Sequence, residues 1–256
     1  MTARDREWTR FRGGGTRRYP PLSQGRPTLH PCGRMQRFAR APFLLPLLVA
    51  ACTSAPVLPE GGGAGLVAYD AAVPASTQVW GPPEWRVGDH FTLLRGGKQR
   101  IEFKVASITD EGYVLVDGLG NRLKRGRDLS NIGEWGPDGD APLHVLTPPD
   151  VRFHWPLWIG KRWRCQYTDR TAGAQALPVE SSYQVEDLDT IVTAAGTFSA
   201  LRIVRTSRLM MEDGGGYLER VMVIWYAPDL GHEVRQVLGD TSVELVEWQR
   251  AEPVPK

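Results

Sequence analysis

From Trp80 to Gln249 the chain alternates short runs rich in Val, Ile, Tyr, Phe and Trp with clusters of Gly, Asp and Pro. Runs of this length and composition, bounded by turn residues, are typical of β-strands, and no convincing long helix is predicted. The sequence therefore predicts a mainly β fold built of antiparallel meander sheets.

The predicted strands fall into two groups around the Pro- and Gly-rich stretch at 136–150. We predict an N-terminal β lobe at 79–140 and a C-terminal β domain at 150–250. With about 205 residues after the leader, the chain is long enough for one large or two small domains with a real core.

The two groups share a pattern. In each, a Gly turn precedes a strand with an aromatic residue, and a later strand carries an aromatic residue and Val on one face. We interpret them as two similar lobes that form a half-barrel or a sandwich, either by duplication or by the chance likeness of β-rich sequences. The matched segments are Val87–Phe91 with Ile159–Trp163, and Phe103–Ile108 with Tyr183–Leu188.

Two polar patterns predict a sheet edge and a turn. Thr241–Glu247 alternates apolar and polar residues, which is typical of a half-exposed strand, and we expect it near an edge. Asp187 and Asp189 lie between two predicted strands and are interpreted as a polar hairpin turn instead of a catalytic carboxylate pair.

Residues 35–51 have the order of a secretory signal: two Arg residues, an apolar run of about nine residues, and small residues before Cys52. A membrane-spanning helix needs about 20 apolar residues, so a retained anchor helix is not expected. The sequence Val49-Ala50-Ala51-Cys52 resembles the lipobox of bacterial lipoproteins. That resemblance implies lipidation of Cys52 and cleavage before it; the alternative is an ordinary signal peptide with a chance Cys.

Residues 1–34 contain eight Arg and two acidic residues and are predicted to be disordered, or an over-extended start upstream of Met35. The alternative is a basic arm for nucleic acid or anionic lipid. Without residues 1–51 the chain has 21 basic and 27 acidic residues, a net charge of −6. This balance argues against nucleic acid as a partner.

Residues 52–78 are rich in Gly, Ala and Pro and are predicted to be a tether between a lipid anchor and the domain. In enterobacterial lipoproteins an Asp after the lipidated Cys marks inner-membrane retention, and here Thr53 follows Cys52. By that resemblance the chain is expected at the periplasmic face of the outer membrane.

Two motifs lie in the C-terminal half, one around Gly196 and Phe198 and one from Trp225 through Pro228 to Gly231. Together with the stretch 156–163 they resemble a family of bacterial periplasmic and lipoprotein domains called TapB-like, over about 155–250. The family brings no established activity. The resemblance implies structural roles, with Gly196 in a turn, Phe198 facing inward, and Pro228 and Gly231 at a chain reversal.

No catalytic or metal-binding motif is present. The sequence has no H-E-x-x-H, no paired C-x-x-C and no G-x-S-x-G elbow. Cys165 shares a strand face with Trp163 and Tyr167, which indicates a buried residue instead of a nucleophile. We therefore predict no enzyme activity, no catalytic residues, no metal and no cofactor. The histidines after the leader are scattered: His90, His144, His154 and His232.

The chain after the leader has eight Trp residues. Trp155 and Trp158 flank Pro156 in a predicted loop, so we expect them to be exposed and to bind a ligand or partner; the alternative is that the Trp residues are core residues. The predicted function is a lipid-anchored binding or scaffold module that contacts an envelope protein or lipid. The alternative is a carrier of an apolar or lipid ligand in a curved sheet, and a hydrolase has the least support.

Overall fold

The computed structural model describes residues 65–210 and 216–252. Within these ranges all regular elements are β-strands. The described residues accordingly include no apolar helix of membrane-spanning length. The strands are β1 (Leu66–Tyr69), β2 (His90–Arg95), β3 (Gln99–Ile108), β4 (Tyr113–Asp117), β5 (Arg122–Arg125), β6 (Asn131–Trp135), β7 (Pro142–Asp150), β8 (Arg162–Thr171), β9 (Leu177–Thr193), β10 (Gly196–Met210), β11 (Tyr217–Ala227), β12 (His232–Leu238) and β13 (Thr241–Gln249).

Strands β2 to β13 form one closed antiparallel sheet. Each strand pairs with the next along the chain, and β13 completes the ring by pairing with β2, with Leu245 opposite Leu93. Strand β1 adds to β8, with Leu66 opposite Cys165. The prediction of a mainly β, antiparallel meander is confirmed. In place of a half-barrel or sandwich of two lobes, the strands of both predicted lobes share this closed sheet.

Strand β13 has a partner on each side, so the prediction that it lies near a sheet edge is wrong. Its alternating sequence reflects an inner and an outer face. Leu245 is fully buried, whereas Glu247 is exposed and its carboxylate lies 3.0 Å from the guanidinium of Arg100 on β3. In a closed sheet each strand has an inner and an outer face, but no strand has a free edge.

Alternate residues of the strands face the interior of the ring. On β9, Val179, Ser181, Tyr183 and Val185 are buried, whereas the residues that alternate with them are more exposed. Ile203 of β10 lies next to Val185 in the same buried layer. Because burying each such apolar side chain contributes about 1.5–3 kcal/mol, this layer stabilises the ring.

Strand β9 runs unbroken from Leu177 to Thr193, so the predicted turn at Asp187 and Asp189 is wrong. The strand accommodates one extra residue through a shift of register next to Arg202. The Arg202 guanidinium lies 3.5 Å from Asp187 and 3.4 Å from Asp189. This positive charge on β10 offsets the acidic row that suggested a turn.

Two turns of the fold have the same backbone hydrogen bonds. The Gly88 N–H donates to Val105 O at 2.8 Å, and the Val105 N–H donates to Asp89 O at 2.9 Å. The glycine has a φ of +98°, where a side chain is unfavourable. In the second turn the Gly160 N–H donates to Val185 O at 2.8 Å, and the Val185 N–H donates to Lys161 O at 2.9 Å. The likeness predicted between the two halves is therefore confirmed at these turns.

Strand β1 lies within the stretch 52–78 that is predicted to be a tether. Tyr69 pairs with Trp163, and the Arg162 N–H donates to the Asp70 carboxylate at 2.8 Å. The chain from β1 to Asp70 is thus attached to the sheet. The part of the predicted tether at 52–64 lies outside the described residues.

Candidate functional site

Trp155 and Trp158 lie in the connection between β7 and β8. The Trp158 side chain is only 3 % exposed. Trp155 is half-buried; its indole N–H donates to Asp128 O at 2.7 Å and its ring stacks on Phe153. The prediction that both Trp side chains are exposed is wrong, because this connection packs against the core.

Beside Trp158 the connection encloses a lysine. The Lys161 ammonium lies 4.3 Å from the centre of the Trp158 ring and donates to Pro156 O at 2.6 Å. Burial lowers the pKa of Lys161 to about 8. Burial and the charge of Lys161 lower the pKa of His154 to about 4. At pH 7 the lysine is therefore mostly charged and the histidine neutral, and the enclosed amine contacts the protein instead of solvent.

Gly196 and Phe198 lie at the hairpin between β9 and β10. Gly196 has a φ of +139° and pairs with Thr193, and Phe198 pairs with Ile191 two residues further along. The Phe198 side chain is half-buried and packs against the core. Both residues serve the hairpin and present no group that could act on a ligand.

Trp225, Pro228 and Gly231 surround the turn between β11 and β12. The Gly231 N–H donates to Pro228 O at 3.1 Å, and its carbonyl accepts the indole N–H of Trp85 at 2.9 Å. The Trp225 indole N–H donates to Asp189 at 2.8 Å. These contacts join the turn to the connection between β1 and β2, which contains Trp85, and to β9.

A buried polar network surrounds Asp150 inside the ring. The Asp150 carboxylate accepts Tyr183 OH at 2.6 Å and the Cys165 thiol at 3.3 Å, and Arg205 lies 3.3 Å away. Burial and the Asp150 charge raise the pKa of the Cys165 thiol, so the reactive thiolate is disfavoured. The prediction that Cys165 is buried is confirmed.

A second ionic cluster lies next to the Asp150 network. Arg152 binds Glu233 through two nitrogens, with Nη2 3.0 Å from Oε2, and Gln236 also donates to this carboxylate. His232 stacks on Phe91 at 4.1 Å, and burial lowers the pKa of its imidazole. Sequence patterns did not indicate this cluster, because Arg152 in the β7–β8 connection is far in sequence from Glu233 and Gln236 on β12.

A small cavity of about 70 Å³ adjoins this cluster inside the ring. Its wall includes Arg125 and Glu233 together with apolar side chains such as Leu115 and Phe153. Pockets for drug-sized ligands measure about 300–1,000 Å³. This cavity therefore has room for a few heavy atoms and not for an acyl chain.

Two larger grooves flank β1. They measure about 610 and 560 Å³, and their walls combine apolar side chains such as Leu66 and Met210 with polar ones such as Gln166, Glu180 and Arg164. Glu180 accepts the Gln166 amide at 2.9 Å, so the polar groups of the groove already bind one another. We find no convergent set of free polar groups there among the described residues.

The hairpin of β10 and β11 carries the most distinctive exposed surface. Met210, Tyr217, Leu218 and Val221 are each 45–54 % exposed. Strand β11 pairs with β12 only from Met222 to Ala227. Within the described structure Tyr217–Val221 therefore has no strand on its second edge. The sequence analysis missed this surface, although apolar residues on both sides of a Gly-rich stretch of sequence are a signal for it.

The described residues contain no group of three or more His, Cys, Asp or Glu placed to hold a metal ion. His144 instead binds Asp169, at 2.8 Å. Cys52, the predicted lipidation site, lies outside the described residues.

No protein-family model matches this chain, and no curated protein matches it. The resemblance to TapB-like domains therefore stays a prediction. Solved structures do match. The hypothetical lipoprotein YmcC from Escherichia coli aligns with a TM-score of 0.43 and 11 % identity, over 66 % of this chain and 89 % of that one.

Two Bacteroidales proteins match to a similar degree. One is assigned as a lipoprotein of Parabacteroides distasonis, with a TM-score of 0.41 and 10 % identity, over 68 % of this chain and 100 % of that one. The other is assigned as an exported protein with a YmcC-like fold from Bacteroides fragilis, with a TM-score of 0.39 and 11 % identity, over 68 % of this chain and 100 % of that one. At these TM-scores and identities we infer nothing about activity or ligands from these proteins.

Proposed function

We propose that this chain is a lipid-anchored module of the bacterial envelope that binds a partner protein without catalysing a reaction. The observation that carries this proposal is the β10–β11 hairpin, where exposed apolar side chains adjoin an unpaired stretch of strand. Contiguous exposed apolar residues on a soluble surface commonly mark a protein contact.

The unpaired edge indicates how the partner binds. An extended segment can add to an exposed strand through backbone hydrogen bonds, while side-chain contacts supply specificity. Along Tyr217–Val221, Tyr217 and Val221 face outward, and Glu219 between them binds Arg208 at 3.1 Å. A partner strand with two apolar residues four positions apart, and a polar residue midway between them, would match this pattern.

The N-terminal sequence supports the anchoring part of the proposal. The lipobox-like sequence before Cys52 provides a site for lipid, and residues 53–64 provide a link of twelve residues to the described domain. Such a link spans at most about 40 Å when fully extended. The domain would then remain close to the membrane, and we place it at the periplasmic face of the outer membrane.

The interior of the ring gives less support to a carrier of apolar ligands. A carrier needs a continuous apolar space, whereas the described interior holds the Asp150 network, the Arg152–Glu233 pair and a cavity of about 70 Å³. Opening such space would separate buried ion pairs, which is costly.

Site-specific photo-crosslinking in the native envelope tests the binding surface. A photoreactive residue at Tyr217 should give a discrete protein adduct, and the same residue at exposed Lys98, on the β2–β3 turn, should not. Leu218→Lys with Val221→Lys should abolish the adduct, because charges on an edge block strand addition. Equal adducts from both positions, or adducts with lipid only, would contradict the proposal.

Anchoring is tested separately by metabolic labelling with a palmitate analogue. The unchanged protein should carry the label and sediment with outer membranes, and Cys52→Ala should lose both properties. A Cys165→Ala variant is the matched control and should keep them. A labelled, membrane-bound Cys52→Ala protein would exclude Cys52 as the anchor.

A further inference from the structure

Among the described residues, one arginine inside the ring forms no ion pair of its own with a carboxylate. The charge of Arg125 on β5 interacts with the charges of Arg152, Glu233 and Asp150. Glu233 is bound by Arg152, and Asp150 is bound by Arg205. These three guanidinium groups thus face two carboxylates. One positive charge remains, and it belongs to Arg125.

The head of Arg125 is enclosed although part of the residue reaches the surface. Its Nη1 is fully buried and donates a hydrogen bond to no atom of the described residues. A buried charged donor without an acceptor destabilises the folded state, because the charge has lost its hydration without gaining a hydrogen bond. An acceptor with a negative charge would remove this cost.

The cavity beside Arg125 has the size and the lining for such an acceptor. It measures about 70 Å³, and Leu115, Leu123 and Phe153 provide apolar walls opposite the arginine. Glu233 also borders the space, but its carboxylate already accepts from Arg152 and Gln236. One halide ion or a carboxylate with one or two carbons fits this volume.

We propose that the cavity at Arg125 binds one small monovalent anion. The charge of Arg125 attracts it, Nη1 donates to it, and the apolar walls exclude hydrated or larger anions. This site lies within the ring and is independent of the lipid anchor and of the β10–β11 hairpin. Its test therefore stands whether or not the proposed function is correct.

Thermal unfolding at constant ionic strength tests this site. Sodium bromide or sodium acetate replaces sodium gluconate stepwise, because gluconate is too large for the cavity. Binding to the folded state should raise the Tm by about 3 °C or more at ten times the Kd, and the rise should follow a saturation curve. Arg125→Gln should remove the rise, and Arg127→Gln, at an exposed arginine two positions away, should keep it.

Bromide soaking gives a second measurement that needs no variant. Anomalous diffraction should place a bromide ion within hydrogen-bond distance of Arg125 Nη1. Equal Tm values in bromide, acetate and gluconate would overturn the proposal. So would bromide peaks confined to the outer surface, which would indicate an adventitious ion only.

Discussion

Asp89 and Lys161 occupy the same position in two matching turns and carry opposite charges. Both side chains are almost fully buried. The Asp89 carboxylate accepts backbone N–H groups from Arg86 and Ala251, at 2.9 and 2.8 Å. Lys161 does the reverse and donates to Pro156 O. Each turn therefore uses its charge to satisfy peptide groups of the segment packed beside it.

The buried Lys161 predicts a pH dependence of stability. The folded pKa of about 8 lies below the unfolded value near 10.5, so the unfolded state binds more protons between these pH values. Stability due to this residue should therefore rise as the pH rises from about 8 to 10.5. The Tm of the unchanged protein relative to Lys161→Met should increase across that range in calorimetry. A constant difference would show that the amine reaches solvent.

Burial of Trp158 predicts a large loss of stability on truncation. Trp158→Ala should cost about 3–5 kcal/mol in urea unfolding, because it leaves a cavity in the core. Phe198→Ala should cost less than about 3 kcal/mol, since the ring is only half-buried. Trp248→Ala, at a side chain 40 % exposed, is the control and should stay within about 0.5 kcal/mol. The reverse order would contradict the packing described for the β7–β8 connection.

Cys165 should react slowly with thiol reagents in the native protein. Its thiol is buried and donates to Asp150, and burial raises its pKa. In a protein with Cys32→Ser and Cys52→Ser, labelling at pH 8 should increase at least about a hundredfold in denaturant, because exchange then follows unfolding. Equal rates in native and denaturing conditions would show that the Asp150 network is open.

The pair of His144 and Asp169 predicts the opposite pH dependence to that of Lys161. The hydrogen bond that the His144 ring donates to Asp169 raises the pKa of His144 above 6.5, so its stabilisation is complete below pH 6.5 and is lost as the pH rises through the folded pKa. His144→Gln should lower the Tm more at pH 5.5 than at pH 8.5. Because both groups are about one-third exposed, the effect should not exceed about 1 kcal/mol. In an Asp169→Asn background the same change should have no further pH-dependent effect.

The period-two patterns predicted most strands correctly, because alternation between inner and outer faces is a local property of the chain. The closed ring was not predicted, because the pairing of β13 with β2 joins residues that are far apart in the sequence. The error at Asp187 and Asp189 has a similar cause, since Arg202 on the next strand makes their acidity compatible with a strand.

The candidate sites were harder to predict than the strands. Trp155 and Trp158 were expected in solvent because they flank a proline, but tertiary packing covers that connection. The sequence did not predict a site at Arg125, because a single arginine on a short strand is usually an exposed surface residue. Its excess charge within the described structure becomes apparent only when Glu233 on β12, and Asp150 and Arg152 at the end of β7, are considered together with it.

Closure between β2 and β13 sets an order of events for the newly made chain. Strand β2 cannot complete its pairing until β13, the last strand, is available. A chain that passes through a pore from its N-terminus therefore cannot finish this fold until β13 has passed through. Pairings so distant in sequence also form slowly, since a long loop must close first. Until the final strand emerges, β2 exposes an edge on which a chaperone could act, and truncation before β13 should leave the whole ring open.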